Sequence, residues 1–315
     1  MGRLAQTLAI KGKLHLYITD LLVHCTTRIA CTFPDGSEGT GTGFFMNLCV
    51  EGEKCVPVLI TNRHVVRGAS TGRIWLTLKK DAENAPDFGK HHSFTLGSFS
   101  QRWIYHKAVD LAVMPIHPLI EEGRRIGHQY FFAPLMPDLL PTKAELEDLP
   151  ALADIVLIGY PNGIWDERNN QPIMRRGVTA THPELDYNGK PEFVIDAACF
   201  NGSSGSPVFL VELGRTISRS AGMSIGSSRV KLLGILYAGP MHFATGEIRT
   251  VEIGQRSVAV TGIPNNLGYV ISSRAVRDFE PLLLHLDRNG RLPGRNEICP
   301  CQSGARFKEC CGIAS

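Results

Sequence analysis

Apolar residues along this chain fall in short runs broken by glycine, proline and charged residues, the pattern of strands and turns. Leu21 to Phe33 is apolar and β-branched and predicts a strand. It follows an arm, residues 1–20, that reads as a short helix or an extended segment. A Gly-rich turn from Asp35 to Thr42 leads into a strand at Gly43 to Met46. Val56 to Thr61, Arg73 to Leu78, Ser93 to Phe99, Trp103 to Tyr105 and Leu111 to Ile116 continue the series. Residues 117–150 interrupt it with five prolines and acidic clusters, and read as a connection with short helical pieces. A second set then runs through Asp154 to Pro161, Gly177 to Thr181, Phe193 to Cys199, Pro207 to Val211, Lys231 to Ala238 and Gly268 to Ile271. Residues 213–229 read as an exposed loop. Near the C-terminus, Arg274 to Leu286 puts Val276, Phe279, Leu282, Leu283 and Leu286 at helical spacing, and Asp287 to Glu297 is a polar linker. Many short strands with little helix before the end predict an all-β chain of barrels or sandwiches.

Composition changes this picture little. A chain of 315 residues holds one large or two medium domains, and 43% hydrophobic with 20% charged residues is ordinary for a globular protein. A formal charge of +3 is too small to point to nucleic acid or a membrane surface. No apolar run approaches the ~18 residues of a membrane span, and Met1 to Lys13 lacks the apolar core of a secretory leader. Nine cysteines, an odd number without an export signal, suggest reduced thiols and a cytoplasmic location.

The stretch with chemistry in it is Phe200-Asn201-Gly202-Ser203-Ser204-Gly205-Ser206-Pro207-Val208. Glycines at 202 and 205 permit positive φ, and consecutive N–H groups on such a turn can converge on an anion. A Gly/Ser-rich turn can equally be only a turn. A serine hydroxyl needs a base, and the base needs a group that fixes its tautomer. His64, which closes the Val56–Thr61 strand, and Asp110, which heads Leu111–Met114, are candidates for those roles. Each could also be structural, as a core histidine or a turn carboxylate.

The segments Ile60-Thr61-Asn62-Arg63-His64-Val65-Val66, Asp110-Leu111-Ala112-Val113 and Asn201-Gly202-Ser203-Ser204-Gly205-Ser206-Pro207 occur in that order. Gly41-Thr42-Gly43-Phe44-Phe45 precedes them and Leu233-Gly234-Ile235-Leu236 follows. This resembles the chymotrypsin-like serine proteases, in particular the bacterial branch that includes the high-temperature-requirement proteases. The resemblance implies two six-stranded antiparallel β-barrels, about 21–116 and 151–271, within a protease domain at 21–286. It implies Ser204 as nucleophile, with Ser203 and Ser206 as competing hydroxyls, His64 as general base, Asp110 as its orienting partner, and the N–H groups of Gly202 and Ser204 as oxyanion hole. Leu236, Tyr237 and Ala238 would pair with a protein or peptide substrate, and Ala198 would lie under the residue before the cut. With no acid at Ala198, an apolar or small residue is expected there. Ser203 replaces the aspartate that captures a new N-terminus in zymogen relatives, so that activation route is not expected. No peptide-binding PDZ domain is expected downstream. A catalytically silent protease-fold binding module is the alternative.

Cys299-Pro300-Cys301 and Cys310-Cys311-Gly312 complete the picture. Four thiolates can close a tetrahedral Zn2+ site. With Gly294-Arg295-Asn296 and Phe307-Lys308, the segment resembles the SEC-C motif, which implies a zinc knuckle at 299–315 after a linker at 287–298. In the resemblance the knuckle docks proteins or ribosomes. A segment this short has no core, so bound metal would supply its folding energy, about 10–16 kcal/mol in zinc peptides. Paired disulfides or idle thiols are the competing account.

Overall fold

The computed structural model describes residues 17–80, 83–248 and 257–314. Residues 1–16 of the expected arm lie outside them. The N-terminal half opens with helix α1 (Ile18–Val23) and strands β1 (Thr26–Thr32), β2 (Glu38–Glu51) and β3 (Lys54–Thr61). The short helix α2 (Arg63–Val66) follows, then β4 (Thr71–Lys79), β5 (Pro86–Gly97), β6 (Ile104–Tyr105) and β7 (Ala112–Pro115). The connection holds α3 (His117–Arg125), β8 (Tyr130–Phe131) and α4 (Lys143–Glu147). The second half comprises β9 (Asp154–Gly159), β10 (Ile173–Thr179), β11 (Glu192–Asp196), β12 (Pro207–Glu212), β13 (Arg215–Ser218), β14 (Gly222–Ile225), β15 (Arg229–Ala238), β16 (Met241–Ile248), β17 (Ser257–Pro264) and β18 (Leu267–Ser272). A 3-10 turn, Ser273–Phe279, runs into the C-terminal helix α5 (Glu280–Asn289).

The second half closes as expected into a six-stranded barrel in the order β10-β11-β18-β15-β12-β9. The first half is an eight-stranded antiparallel sheet, β5-β4-β1-β2-β3-β7-β6 with β8 added to β4, and among the described residues no strand pairing joins its two ends. This differs from the expected second closed barrel. The physical reason lies between β5 and β6, where Ser98 turns left-handed and Phe99–Arg102 winds into a 3-10 helix. Side chains occupy this region in place of ladder hydrogen bonds. Phe99 and Trp103 are buried, meet edge to face at 5.6 Å, and pack into the sheet's apolar core.

Two local expectations are corrected. Leu21–Val23 is helical, and the strand begins only at Thr26. Adjacent Leu21 and Leu22 are both buried, which one helical face allows and a half-buried strand does not. Residues 213–229, expected as a loop, contain the hairpin β13–β14. All of β14 is exposed, so no apolar alternation marks it in the sequence.

Three apolar clusters hold the fold. Ile29, Phe45, Leu59 and Ile74 pack within the first sheet, and Ile155, Leu157, Phe193 and Val270 within the barrel. The third joins the halves: Phe44, Met46 and Ile60 from the sheet meet Ile158, Phe209 and Ile235 from the barrel and Phe279 and Leu283 from the C-terminal segment. Phe44 and Phe45 thus serve opposite faces of β2, and both faces are buried. Cys299, Phe307, Cys310 and Cys311 belong to the same third cluster. The tail, expected to lack a core, shares that of the larger domain.

Candidate active site

Thr61 ends β3 and the chain turns into α2, which carries His64 at the rim of the sheet. The turn is anchored on Asp110. Asn62 Nδ2 donates to the Asp110 carbonyl at 2.9 Å, and the His64 N–H donates to Asp110 Oδ1 at 3.0 Å. The His64 ring meets Asp110 Oδ2 through Nδ1 at 2.5 Å. Burial acts to raise the Asp110 pKa, but the hydrogen bonds and charge of His64, with Arg63 nearby, outweigh it and hold the carboxyl below its usual range. Nδ1–H pointing at a carboxylate leaves Nε2 free to accept a proton.

The loop that presents Asp110 is built on His106, a residue the sequence reading missed. His106 is buried, and its Nδ1 accepts from the N–H groups of Ala108 and Val109 at 3.1 and 3.0 Å. Its Nε2 therefore carries the proton and donates to Asp278 Oδ2 at 3.0 Å.

Ser204 sits on the turn between β11 and β12. Ser203 N–H donates to the Phe200 carbonyl and Ser206 N–H to the Ser203 carbonyl, each at 3.0 Å, so two tight turns overlap. Gly202 has φ +80°, and a Cβ there would lie 2.6 Å from the Tyr160 carbonyl oxygen. Gly205 has φ +87°, and a Cβ there would lie 2.0 Å from the Thr42 carbonyl oxygen. Both positions exclude larger residues, through conformation and space together. Among the described residues the N–H groups of Gly202 and Ser204 donate no hydrogen bond, whereas Gly205 N–H donates to the Leu236 carbonyl at 2.8 Å.

Thr42, on β2, ties the halves of the site together. Its N–H donates to the Ser204 carbonyl at 2.8 Å, and its hydroxyl donates to the Gly202 carbonyl at 3.1 Å. The same hydroxyl accepts from Tyr160 N–H and Ser206 Oγ, and the Thr42 carbonyl accepts from Thr61 Oγ1 at 2.7 Å. Two covalent steps beyond Thr61 the chain reaches Arg63, and the next residue is His64. The three serines of the turn differ accordingly. Ser203 and Ser206 are fully buried, the first accepting from Arg175 at 2.7 Å and the second bonded to Thr42. Ser204 is partly exposed and its hydroxyl donates to the Tyr237 carbonyl at 3.3 Å. Among the described residues no hydrogen bond joins Ser204 to His64.

Leu236, Tyr237 and Ala238 end β15 beside this turn, and the register between β15 and β18 shifts there by a bulge. The bulge re-aims the strand end next to the site. Tyr237 is held by its hydroxyl, which donates to Glu192 Oε2 at 2.6 Å. Ala198 lies at the start of the segment leading to Ser204, and its carbonyl accepts from the Arg175 guanidinium. Thr42, His106, Asp278 and Arg175 carry no local sequence signal for these positions. Thr42 alone stood inside a quoted motif.

The sulfur atoms of Cys299, Cys301, Cys310 and Cys311 lie within 4.8 Å of one another. Cys301 and Cys310 are 3.3 Å apart, and Cys310 and Cys311 3.9 Å. Tetrahedral Zn–S bonds of about 2.3 Å set sulfur atoms roughly 3.8 Å apart, so the cluster can hold such a metal. Burial would raise the Cys301 thiol, but hydrogen bonds from Ser303 and the neighbouring thiols bring it down to about 6, toward the thiolate that ligation requires. The cluster lies against the Asp110 loop, where Lys107 Nζ is 3.8 Å from Cys310 Sγ.

No curated protein sequence matches the chain. Among solved structures it is similar to the HtrA-type protease AlgW with tripeptide, at 16% identity over 85% of this chain with a TM-score of 0.42, and it spans 62% of that protein's length. It is similar to the Rv3671c protease from M. tuberculosis, at 14% identity, 86% and 84% coverage and a TM-score of 0.39. It is also similar to tobacco etch virus protease complexed with product, at 13% identity, 89% and 87% coverage and a TM-score of 0.42. The SEC-C motif model matches residues 295–313. The trypsin-like peptidase domain model matches residues 41–217, more than half of the chain and the span that holds His64, Asp110 and Ser204. The chain therefore belongs to the trypsin-like peptidase family.

Proposed function

We propose that the protein is a serine endopeptidase that cuts protein or peptide substrates through an acyl-enzyme. The observation that carries this reading is the His64 Nδ1 to Asp110 Oδ2 bond of 2.5 Å, tied through Thr61 and Thr42 to the turn bearing Ser204. In the first step Ser204 Oγ attacks the scissile carbonyl while His64 Nε2 takes its proton. Asp110 holds the ring and offsets the imidazolium charge. The N–H groups of Gly202 and Ser204, which have no other acceptor among the described residues, stabilise the oxyanion. His64 then protonates the leaving amine, and water reverses the sequence to free the acid. For the attack the Ser204 hydroxyl must leave the Tyr237 carbonyl and turn to His64 Nε2, a contact of the kind that tightens when substrate docks.

Substrate backbone would lie along Leu236–Ala238 as an added strand. The domain boundaries follow the same reading, with a protease domain at 21–286, a linker at 287–298 and a zinc-bound knuckle at 299–315 that docks a protein or ribosomal partner. Zn2+ has a structural role there, since four cysteines leave no open position. Nine cysteines, none of them in a disulfide, support a cytoplasmic location.

A second reading, a silent binding module, draws on the Ser204 hydroxyl being engaged by Tyr237. Labelling with a fluorophosphonate probe separates the two. Modification of the wild type and not of Ser204→Ala supports the peptidase mechanism. Absence of labelling in an intact, folded wild type supports the binder.

A further inference from the structure

β10 alternates, with Met174 and Arg176 exposed and Ile173, Arg175 and Gly177 turned inward. Inward is toward the segment that precedes the nucleophile turn. There the Arg175 guanidinium donates to the Ala198 carbonyl and to Ser203 Oγ, and lies 5.6 Å from the Phe200 ring. A guanidinium has five N–H donors, and two are used. Nε is buried with no partner. Among the described residues no carboxylate pairs with Arg175, although neighbouring Arg176 has Asp154 at 2.9 Å. Burial lowers the Arg175 pKa. The same burial pushes the nearby Cys199 thiol up to about 11, so it supplies no negative charge at neutral pH.

A half-buried cation without a counter-charge is unfavourable unless a ligand completes it. It bonds to Ser203, the residue before Ser204, and lies beside Phe200, which is 41% exposed. We propose that Arg175 selects substrates with an acidic side chain, Glu or Asp, at the residue whose carbonyl Ser204 attacks. This rests on the reading of Ser204 as nucleophile. A substrate held between the 202–204 turn and Leu236–Ala238 directs that side chain at the wall formed by residues 198–203. Its carboxylate accepts from the remaining Nη1 and Nη2 hydrogens as charge-assisted hydrogen bonds, Nε being buried. The expectation of an apolar or small residue was drawn from Ala198 alone, whereas Arg175 comes from a different strand.

The test is a panel of peptide amides that differ only at the residue before the cut (Glu, Asp, Gln, Leu, Lys), with fluorophosphonate labelling as a separate readout of Ser204. The expected wild-type kcat/KM favours Glu over isosteric Gln by about tenfold or more, the factor of one charge-assisted bond. Arg175→Gln is expected to remain labelled and to lose the Glu/Gln ratio, and Arg175→Lys to keep part of it. A purely structural brace would lower every substrate alike and leave the ratio unmoved. A labelled wild type with no preference for Glu over Gln overturns the proposal, as does a ratio that survives in Arg175→Gln. If Arg175→Gln loses labelling, the wild-type and Arg175→Lys ratios decide. A wild type that neither labels nor cleaves any peptide removes the nucleophile assignment itself, a different failure.

Discussion

His106 Nε2 donates to Asp278 Oδ2 at 3.0 Å across the interface between the first sheet and the C-terminal segment. This bond couples the loop that aims Asp110 to the region just before α5, and so to the side of the molecule where the cysteine cluster packs. His106→Ala removes a buried ring that packs edge to face on Phe279 and accepts from two part-buried N–H groups, and is expected to cost about 1–3 kcal/mol in all. Asp278 is exposed, so Asp278→Asn is expected to cost under about 1 kcal/mol. Urea unfolding midpoints and kcat for the two variants check the contrast. Equal effects would mean that the loop does not depend on the His106 backbone contacts.

Thr42→Val keeps the shape of the side chain and deletes the hydroxyl that serves Gly202, Tyr160 and Ser206. Leaving these buried groups without their partner is expected to destabilise by about 1–3 kcal/mol. It should also lower kcat more than KM, because the Gly202 peptide is part of the turn that would hold the oxyanion. A variant with wild-type kcat would separate Thr42 from catalysis.

Gly205→Ala places a methyl group against the Thr42 carbonyl at a residue with φ +87°. The expected result is a folded protein of lowered Tm with labelling of Ser204 abolished, or a chain that does not fold. Unchanged labelling kinetics would show that the turn can relax.

The Asp110 carboxyl has a folded-state pKa below its ordinary value. The resulting stability is fully present above about pH 4, the unfolded carboxylate range, and is lost as pH falls through the lower folded value. The stability gap between wild type and Asp110→Asn should therefore close on acidification below about pH 4. Denaturant midpoints across that range test it. At neutral pH, Asp110→Asn should lower kcat by about 10⁴, through the wrong tautomer.

Metal removal should reach beyond the tail. Cys299, Cys310, Cys311 and Phe307 share a core with Phe279 and Leu282, and Lys107 meets Cys310. Chelation, or Cys301→Ser with Cys310→Ser, is therefore expected to lower the Tm of the whole chain and to weaken peptide cleavage. Elemental analysis should find one zinc per wild-type chain. Zinc in substoichiometric trace with an unchanged Tm would count against a structural metal.

Much of the site could be read directly because its chemistry leaves local marks. Gly202 and Gly205 announce a turn with positive φ, and His64 and Asp110 each stand at the end of an apolar run. Cys299, Cys301, Cys310 and Cys311 are close in the chain, so their meeting needs only a short loop. The strands of the barrel were visible as apolar runs, whereas β14 was hidden because it is wholly exposed and β13 because its half-buried positions, Thr216 and Ser218, are polar. The end of α1, Leu21–Val23, was mistaken for strand because a short apolar run carries both periods.

The amino-acid order by itself determined that the chain is mostly β, that a histidine, an aspartate and a serine follow one another at strand ends, and that four thiols close its tail. These are properties of neighbours along the backbone, fixed by side-chain type and turn chemistry. The tertiary structure decided that the first sheet stays open, that Thr42 bridges two halves, that His106 shapes the Asp110 loop, and that an unpaired Arg175 faces the turn before Ser204. Each joins residues distant in the chain, and a hydrogen bond across such a separation alters nothing in the local pattern of either partner.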